Sequence, residues 1–206
     1  NDNSYYNVIM DFLTMKDTAK EQQDEIDTML YSYGLEMYGD VPLIEPPEET
    51  EQLEIHTICL AIDTSGSCSG PVAKKFLRES YNMIRDLGTI SQGGELYVFQ
   101  CDDNIQEERY YSSIKEVELE ELENMSLKGF GGTSFIPVFK RMEEIKKEEH
   151  KIDCLIYLTD GCGDYPNEKP DYPVYFLMNE YYYKRILEQR DTCRYKDWIH
   201  YIKFEE

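Results

Sequence analysis

Basic residues are the first shortage: 21 Lys and Arg face 42 Asp and Glu, a formal net charge of −21 at pH 7. Nucleic-acid binding draws on counterion release by Lys and Arg, and anionic lipid repels the same negative field, so neither a nucleic acid nor a membrane surface is an expected partner. Histidine is scarce, and His56, His150 and His200 show no ligand spacing and no H-E-x-x-H, which removes a zincin-type peptidase centre. The glycine-rich stretch at Gly129 to Gly132 has neither a G-K-[ST] ending nor a G-x-G-x-x-G register, so it is not a nucleotide phosphate cradle. No apolar run approaches bilayer-spanning length, and Asn1-Asp2-Asn3-Ser4-Tyr5-Tyr6 lacks the basic-then-apolar form of a signal peptide. With no Met at position 1, a fragment or a processed form is expected. The cysteines are Cys59, Cys68, Cys101, Cys154, Cys162 and Cys193, without a C-x-x-C pair; unpaired, reduced thiols fit a cytoplasmic chain.

What is present is charge interrupted at intervals by apolar runs. Charged residues make up 31% of the chain, but the runs give a globular reading rather than a disordered one. A length of 206 residues allows one substantial core plus an appendage. Residues 1–50 are expected to be that appendage. Tyr5, Ile9, Phe12 and Leu13, then Ile26, Met29, Leu30 and Tyr33, recur on one helical face, and a connector with Pro42, Pro46 and Pro47 among acidic residues follows. Residues 51–206 are expected to form the main domain.

Within that domain, strand and helix patterns alternate. Ile55–Ile62, Glu95–Cys101, Ile152–Thr159 and Pro173–Leu177 predict buried strands, and Trp198–Phe204 a closing edge strand. Asp102-Asp103-Asn104 reads as a tight turn with solvated carboxylates, which makes Ile105–Tyr111 an antiparallel edge strand. Helical spacing follows Pro71, with Val72, Phe76, Tyr81, Met83, Ile84 and Leu87 on one face, and returns at Lys115–Met125, at about Ile136–Glu149 and at Tyr181–Gln189. The expected architecture is a three-layer, Rossmann-like α/β fold with a mostly parallel central sheet, one antiparallel edge strand and an N-terminal helical extension.

The stretch that organises the domain runs from Ile58 to Pro71: an apolar strand stops at Asp63, and Ser65 and Ser67 follow at alternate positions. D-x-S-x-S on a tight loop aims three oxygens at one point, the donor set of a hard divalent cation such as Mg²⁺. Two later stretches can complete the shell, Gly131-Gly132-Thr133 with a hydroxyl and the strand ending in Asp160-Gly161 with a carboxylate. In open parallel sheets, ligands collect beyond the carboxyl ends of strands where the topology reverses.

Asp63, Ser65, Ser67, Thr133 and Asp160, in this order on strand-end loops, resemble the metal-ion-dependent adhesion site (MIDAS) of von Willebrand factor A (VWA) domains. With Leu43-Ile44-Glu45-Pro46 upstream, Ala61-Ile62-Asp63-Thr64-Ser65-Gly66-Ser67, and Gly131-Gly132-Thr133-Ser134-Phe135-Ile136-Pro137-Val138-Phe139, the wording is similar to bacterial VWA-like proteins in which this domain follows a metallopeptidase-like one. The resemblance implies Mg²⁺, or Mn²⁺ or Ca²⁺, touched by the hydroxyls of Ser65, Ser67 and Thr133, with Asp63 and Asp160 acting directly or through water. A cation held largely by neutral oxygens stays electrophilic and keeps a position for an Asp or Glu of a protein partner. Metal-bridged recognition rather than enzymatic turnover is therefore expected. The same resemblance implies a partner system with a MoxR-type AAA+ ATPase. Ser134 is a departure, standing where related proteins often carry an acidic residue beside the ligands.

Other chemistries stand beside this one. Gly66-Ser67-Cys68-Ser69-Gly70 fits a G-x-C-x-G nucleophile elbow, with Asp160 and His200 following in α/β-hydrolase order. The apolar run, however, ends several residues too early for that elbow. Asp63-Thr64-Ser65-Gly66 has its glycine one place late for an aspartic protease, with no second copy. A metal-assisted phosphoesterase would want more converging carboxylates and a base. Cys68 and Cys162 lie near the metal loops, so zinc held by thiolate stands as an alternative to plain structural thiols.

Overall fold

A computed structural model describes residues 55–68, 71–90, 93–117, 126–189 and 195–204. The extension expected at 1–50, and all of the Lys115–Met125 helix beyond residue 117, lie outside these residues. A short 3-10 turn at Ile114–Glu116, capped by the Ser113 side chain, stands where that helix was expected to begin.

Strand β1 (Thr57–Asp63) is buried along its whole length, because both of its faces are covered. Ile58, Leu60 and Ile62 point to one cluster, where Leu77, Met83 and Ile84 of helix α1 (Pro71–Ile90) meet them. Cys59 and Ala61 point to the other. There they join Val138, Phe139, Met142 and Ile145 of α2 (Ile136–Lys147) and Ile186 of α3 (Glu180–Glu188). Helix, sheet and helix make three layers, and a strand covered on both faces reads as a continuous apolar run.

The sheet also contains β2 (Glu95–Cys101), β3 (Ile105–Tyr111), β4 (Ile152–Leu158), β5 (Val174–Asn179) and β6 (Ile199–Phe204). Their spatial order is β3-β2-β1-β4-β5-β6. Only the β2–β3 pair is antiparallel, as the short turn between them requires. Along β3, half-buried and exposed residues alternate, the pattern of a strand at the sheet's rim.

From β1 the chain passes through α1 to β2 and out to β3, then returns by α2 to β4 on the opposite side of β1. The winding reverses between β1 and β4. Asp63 closes the first of these strands, and Asp160 follows the second by two residues. This is the expected fold, and it puts both aspartates at its topological switch. No described helix is long and apolar enough to cross a membrane.

Candidate metal centre

Asp63 is fully buried at the end of β1. Its Oδ1 accepts the Ser65 backbone N–H at 2.9 Å, and its Oδ2 accepts the Thr159 hydroxyl at 2.5 Å. The first bond is the local turn that an aspartate at a strand end makes readily. It sets up a 3-10 turn, Gly66–Cys68, in which the Cys68 N–H returns to the Ser65 carbonyl at 2.9 Å. The Ser65 and Ser67 hydroxyl oxygens lie 3.2 Å apart, and Cys68 turns inward with no exposed surface.

Across the switch, Asp160 is 2% exposed. Its Oδ1 accepts the Cys162 N–H at 2.8 Å, while its buried Oδ2 has no hydrogen-bond partner. One ligand atom each from Asp63, Cys68 and Asp160 fall within 4.8 Å of one another. Thr159, held in turn by the Gly161 N–H at 3.1 Å, ties the β4 end to the β1 end through Asp63.

The glycine loop is stitched onto the same end of the sheet. Gly66 N–H donates to the Gly131 carbonyl at 3.1 Å, and Phe130 N–H donates to the Thr64 carbonyl at 3.0 Å. The Thr64 hydroxyl reaches the Lys128 carbonyl at 2.6 Å. Beneath the loop sits Asp102, which is buried. Its Oδ2 accepts Gly131 N–H at 3.0 Å, its Oδ1 accepts Asn104 N–H at 3.1 Å and Gln106 Nε2 at 2.8 Å, and its carbonyl accepts Ser134 N–H at 2.9 Å. A side chain at Gly129, whose φ is 116°, would put its Cβ 2.7 Å from Asp102 Oδ2. Thr133 is bracketed on its far side, since its carbonyl accepts Asp164 N–H at 3.3 Å and a Cβ at Gly163 would come within 2.7 Å of its methyl. Asp63, Ser65, Ser67 and Asp160 thus lie at the same end of the sheet, beyond β1 and β4, and the loop that leads to Thr133 is tethered there through Phe130 and Gly131.

Burial raises the Asp63 carboxyl above its ordinary pKa; hydrogen bonds from Ser65 and Thr159 oppose the shift, and the charge of Asp160 adds to it. Among the described residues no Lys, Arg or His is paired with either carboxylate. Two buried carboxylates close together, one of them with an orphaned oxygen, form a set that a divalent cation satisfies, by replacing lost hydration and cancelling repulsion. The residues present therefore fit such an ion. Cys68 is a poor nucleophile as it stands: burial first, then the charges of Asp63 and Asp160, push its thiol well above the ordinary range. His200 of the hydrolase order stacks on Tyr175, ring centroids 5.0 Å apart, at the β5 level that pairs with Ile156 rather than at the Asp160 end.

Two contributors escaped the sequence reading. Asp102 was expected to be solvated like Asp103, yet only Asp103 is exposed; a D-D-N turn gives no sign that a glycine loop from elsewhere will land on one carboxylate. Thr159 preceded the expected ligand Asp160 as an ordinary strand residue. The signal for it was the T-D-G run itself, a hydroxyl where the alternation of the strand points away from the aspartate.

A family model described as "VWA-like domain (DUF2201)" matches residues 58–183. No curated protein matches the chain. Among solved structures, the ArnB paralog VWA2 from Sulfolobus acidocaldarius aligns at 19% identity and TM-score 0.46, over 73% of this chain and 42% of its own. An aerotolerance-related membrane protein from Bacteroides fragilis aligns at 15% identity and TM-score 0.42, over 60% of this chain and 67% of its own. An uncharacterised membrane-spanning protein from Vibrio fischeri aligns at 16% identity and TM-score 0.34, over 60% and 70%. The chain spans less than half the length of the archaeal protein.

Proposed function

The chain belongs to the VWA-like domain (DUF2201) family, and on that premise we propose that it is a divalent-cation-dependent protein recognition module rather than an enzyme. In this reading Ser65, Ser67 and Thr133 supply neutral oxygens, Asp63 and Asp160 supply carboxylates directly or through water, and Mg²⁺ is the ion, with Mn²⁺ or Ca²⁺ able to replace it. The ion's remaining position takes an Asp or Glu from a protein partner, and the loops at Gly161 to Tyr172 and Gly129 to Gly132 form the rim that selects it. A component of a MoxR-type AAA+ system is the proposed partner, and the proposed setting is reducing and cytoplasmic, with which described cysteines that form no disulfide agree.

The observation that carries the proposal is the pair of buried carboxylates, Asp63 and Asp160, with one oxygen of Asp160 left without any partner. A structural role would have satisfied that oxygen or left it in water. Isothermal titration with Mg²⁺ on the wild type and on Asp63→Ala tests it. The wild type should bind with measurable heat and the variant should lose at least about tenfold in affinity, a loss typical when a metal site is disturbed. Equal heats from both proteins would remove the metal from the site. A pull-down run with Mg²⁺ and with EDTA then reads the recognition step: a partner retained equally in both would separate recognition from the ion.

A further inference from the structure

Among the described residues, Tyr110, Phe130 and Tyr181 are the large aromatic side chains left exposed. Tyr110 is engaged, its hydroxyl bonded to Glu95 at 2.6 Å and its ring 4.9 Å from that of Tyr97. The other two stand at the carboxyl end of the sheet, on opposite sides of Asp63 and Asp160. Phe130 makes no ring contact among the described residues, although its φ of 80° is one that such a residue adopts only when held there. Its N–H is bonded to the Thr64 carbonyl at 3.0 Å, and a Cβ on Gly66 would lie 3.7 Å from its carbonyl oxygen, so the residue abuts the Asp63–Ser67 turn. On the far side, Leu158 of β4 pairs with Leu177 of β5, which brings Asn179 to the level of Asp160. Asn179 caps α3. In the first turn of that helix Tyr181 is 65% exposed, its ring meeting only that of Tyr182 at 5.0 Å. Burial, and then the charge of Asp160, raise the Tyr182 hydroxyl above its ordinary pKa, so this pair of rings stands in the field of the site.

We infer that Phe130 and Tyr181 are two aromatic walls of a partner-binding face, and that the partner presents an extended segment whose Asp or Glu is flanked, two places before and two places after, by aromatic or branched aliphatic residues. The inference rests on the ion reading above and goes beyond it in the sequence chemistry of the partner. Spacing sets the pattern. Neighbouring strands lie about 4.8 Å apart, so β1 and β5, with β4 between them, are about 10 Å apart, and the span is slightly wider from the β1–β2 side where Phe130 and Gly131 are tied. An extended segment rises about 3.3 Å per residue and alternates its faces, so residues four apart point the same way about 13 Å from each other, with the middle one between them. The middle carboxylate meets the cation, opposite in charge, and the outer side chains cover rings that otherwise stay in water. A ring held out on a strained backbone, with nothing of its own fold to pack on, is suited to anchor a partner.

The probe is a phage-displayed library of peptides of about seven residues, long enough when extended to reach both walls, with Asp fixed at the centre and every other place random. Selection on the immobilised wild-type protein in Mg²⁺ should enrich Phe, Tyr, Trp, Leu or Ile two places to either side of the Asp, and EDTA should release those peptides. Phe130→Ala should erase the preference on one side of the Asp and Tyr181→Ala on the other, each weakening a selected peptide at least about tenfold, as loss of an aromatic anchor does. Phe130→Leu, which keeps an apolar side chain on the same backbone, should recover most of that loss. Both alanine variants should titrate with Mg²⁺ as the wild type does, since the ion's proposed donors are Asp63, Ser65, Ser67, Thr133 and Asp160. Peptides recovered in Mg²⁺ with no apolar preference, or with one that both alanine variants retain, overturn the aromatic walls and leave the ion standing. No recovery that depends on Mg²⁺ also overturns the inference, and the Mg²⁺ titration of the wild type then separates the two: heat keeps the ion reading, and its absence removes both.

Discussion

Phe130 holds a backbone φ of 80°, in the region that costs a side-chain-bearing residue about 1–2 kcal/mol. Its ring is 52% exposed, so packing recovers little of that cost. What fixes it is the backbone: its N–H is bonded to Thr64, and Gly131 beside it is bonded both to Gly66 and to Asp102. The loop is therefore shaped by its tethers rather than by the preference of Phe130. Glycine there would remove the strain but add unfolded-state entropy worth about 0.5–1 kcal/mol. Phe130→Gly should accordingly leave stability unchanged or raise it by up to ~1 kcal/mol in denaturant unfolding. A loss larger than ~1 kcal/mol would mean that the ring packs against something the fold needs.

At the scale of elements, the Asp102 turn shows how a carboxylate can hold a loop it does not belong to. Burial alone would raise its pKa, but the Gln106 side chain and the Asn104 and Gly131 amides outweigh that and hold the carboxyl below its ordinary 3.8. A folded pKa below the unfolded one means stability that is full at neutral pH and is lost as pH falls through the folded value, below about 3.8. Asp102→Ala should cost about 1–3 kcal/mol, the range for orphaned buried donors. By urea unfolding the gap to wild type should hold steady from pH 7 to about pH 5 and shrink only in stronger acid. A gap that widens as pH falls would contradict the hydrogen-bonded carboxylate. The same turn marks where sequence stops being informative. Strand β1 was legible because two covered faces demand an unbroken apolar run, and α2 because Pro137 lies in the first turn of a helix with apolar spacing. The Asp63, Ser65 and Ser67 turn was legible because its bonds are local. The Asp102–Gly131 and Asp63–Thr159 bonds join residues 29 and 96 positions apart, and no local pattern encodes such a meeting.

For the whole molecule, the strand order decides where the chemistry is and the net charge decides how ions reach it. Reversal of the winding between β1 and β4 leaves a gap at their carboxyl ends, and each strand delivers one buried carboxylate there. The whole chain carries a net charge of −21, and the field of such a chain raises the local concentration of cations in the solvent near it. These two contributions differ in their response to salt. Contacts between an ion and the buried Asp63 and Asp160 are hardly screened, whereas the field of the distant surface carboxylates falls off over a Debye length of about 10 Å at 0.1 M and about 30 Å at 0.01 M. The apparent affinity for Mg²⁺ should therefore weaken several-fold when KCl is raised from about 10 mM to about 100 mM, by loss of the long-range part alone. Asp63→Ala should bind poorly at both salt concentrations, because what it lacks is the unscreened contact. An affinity of the wild type that does not move with KCl would mean that the acidic surface contributes nothing to ion capture and that its charge serves another end.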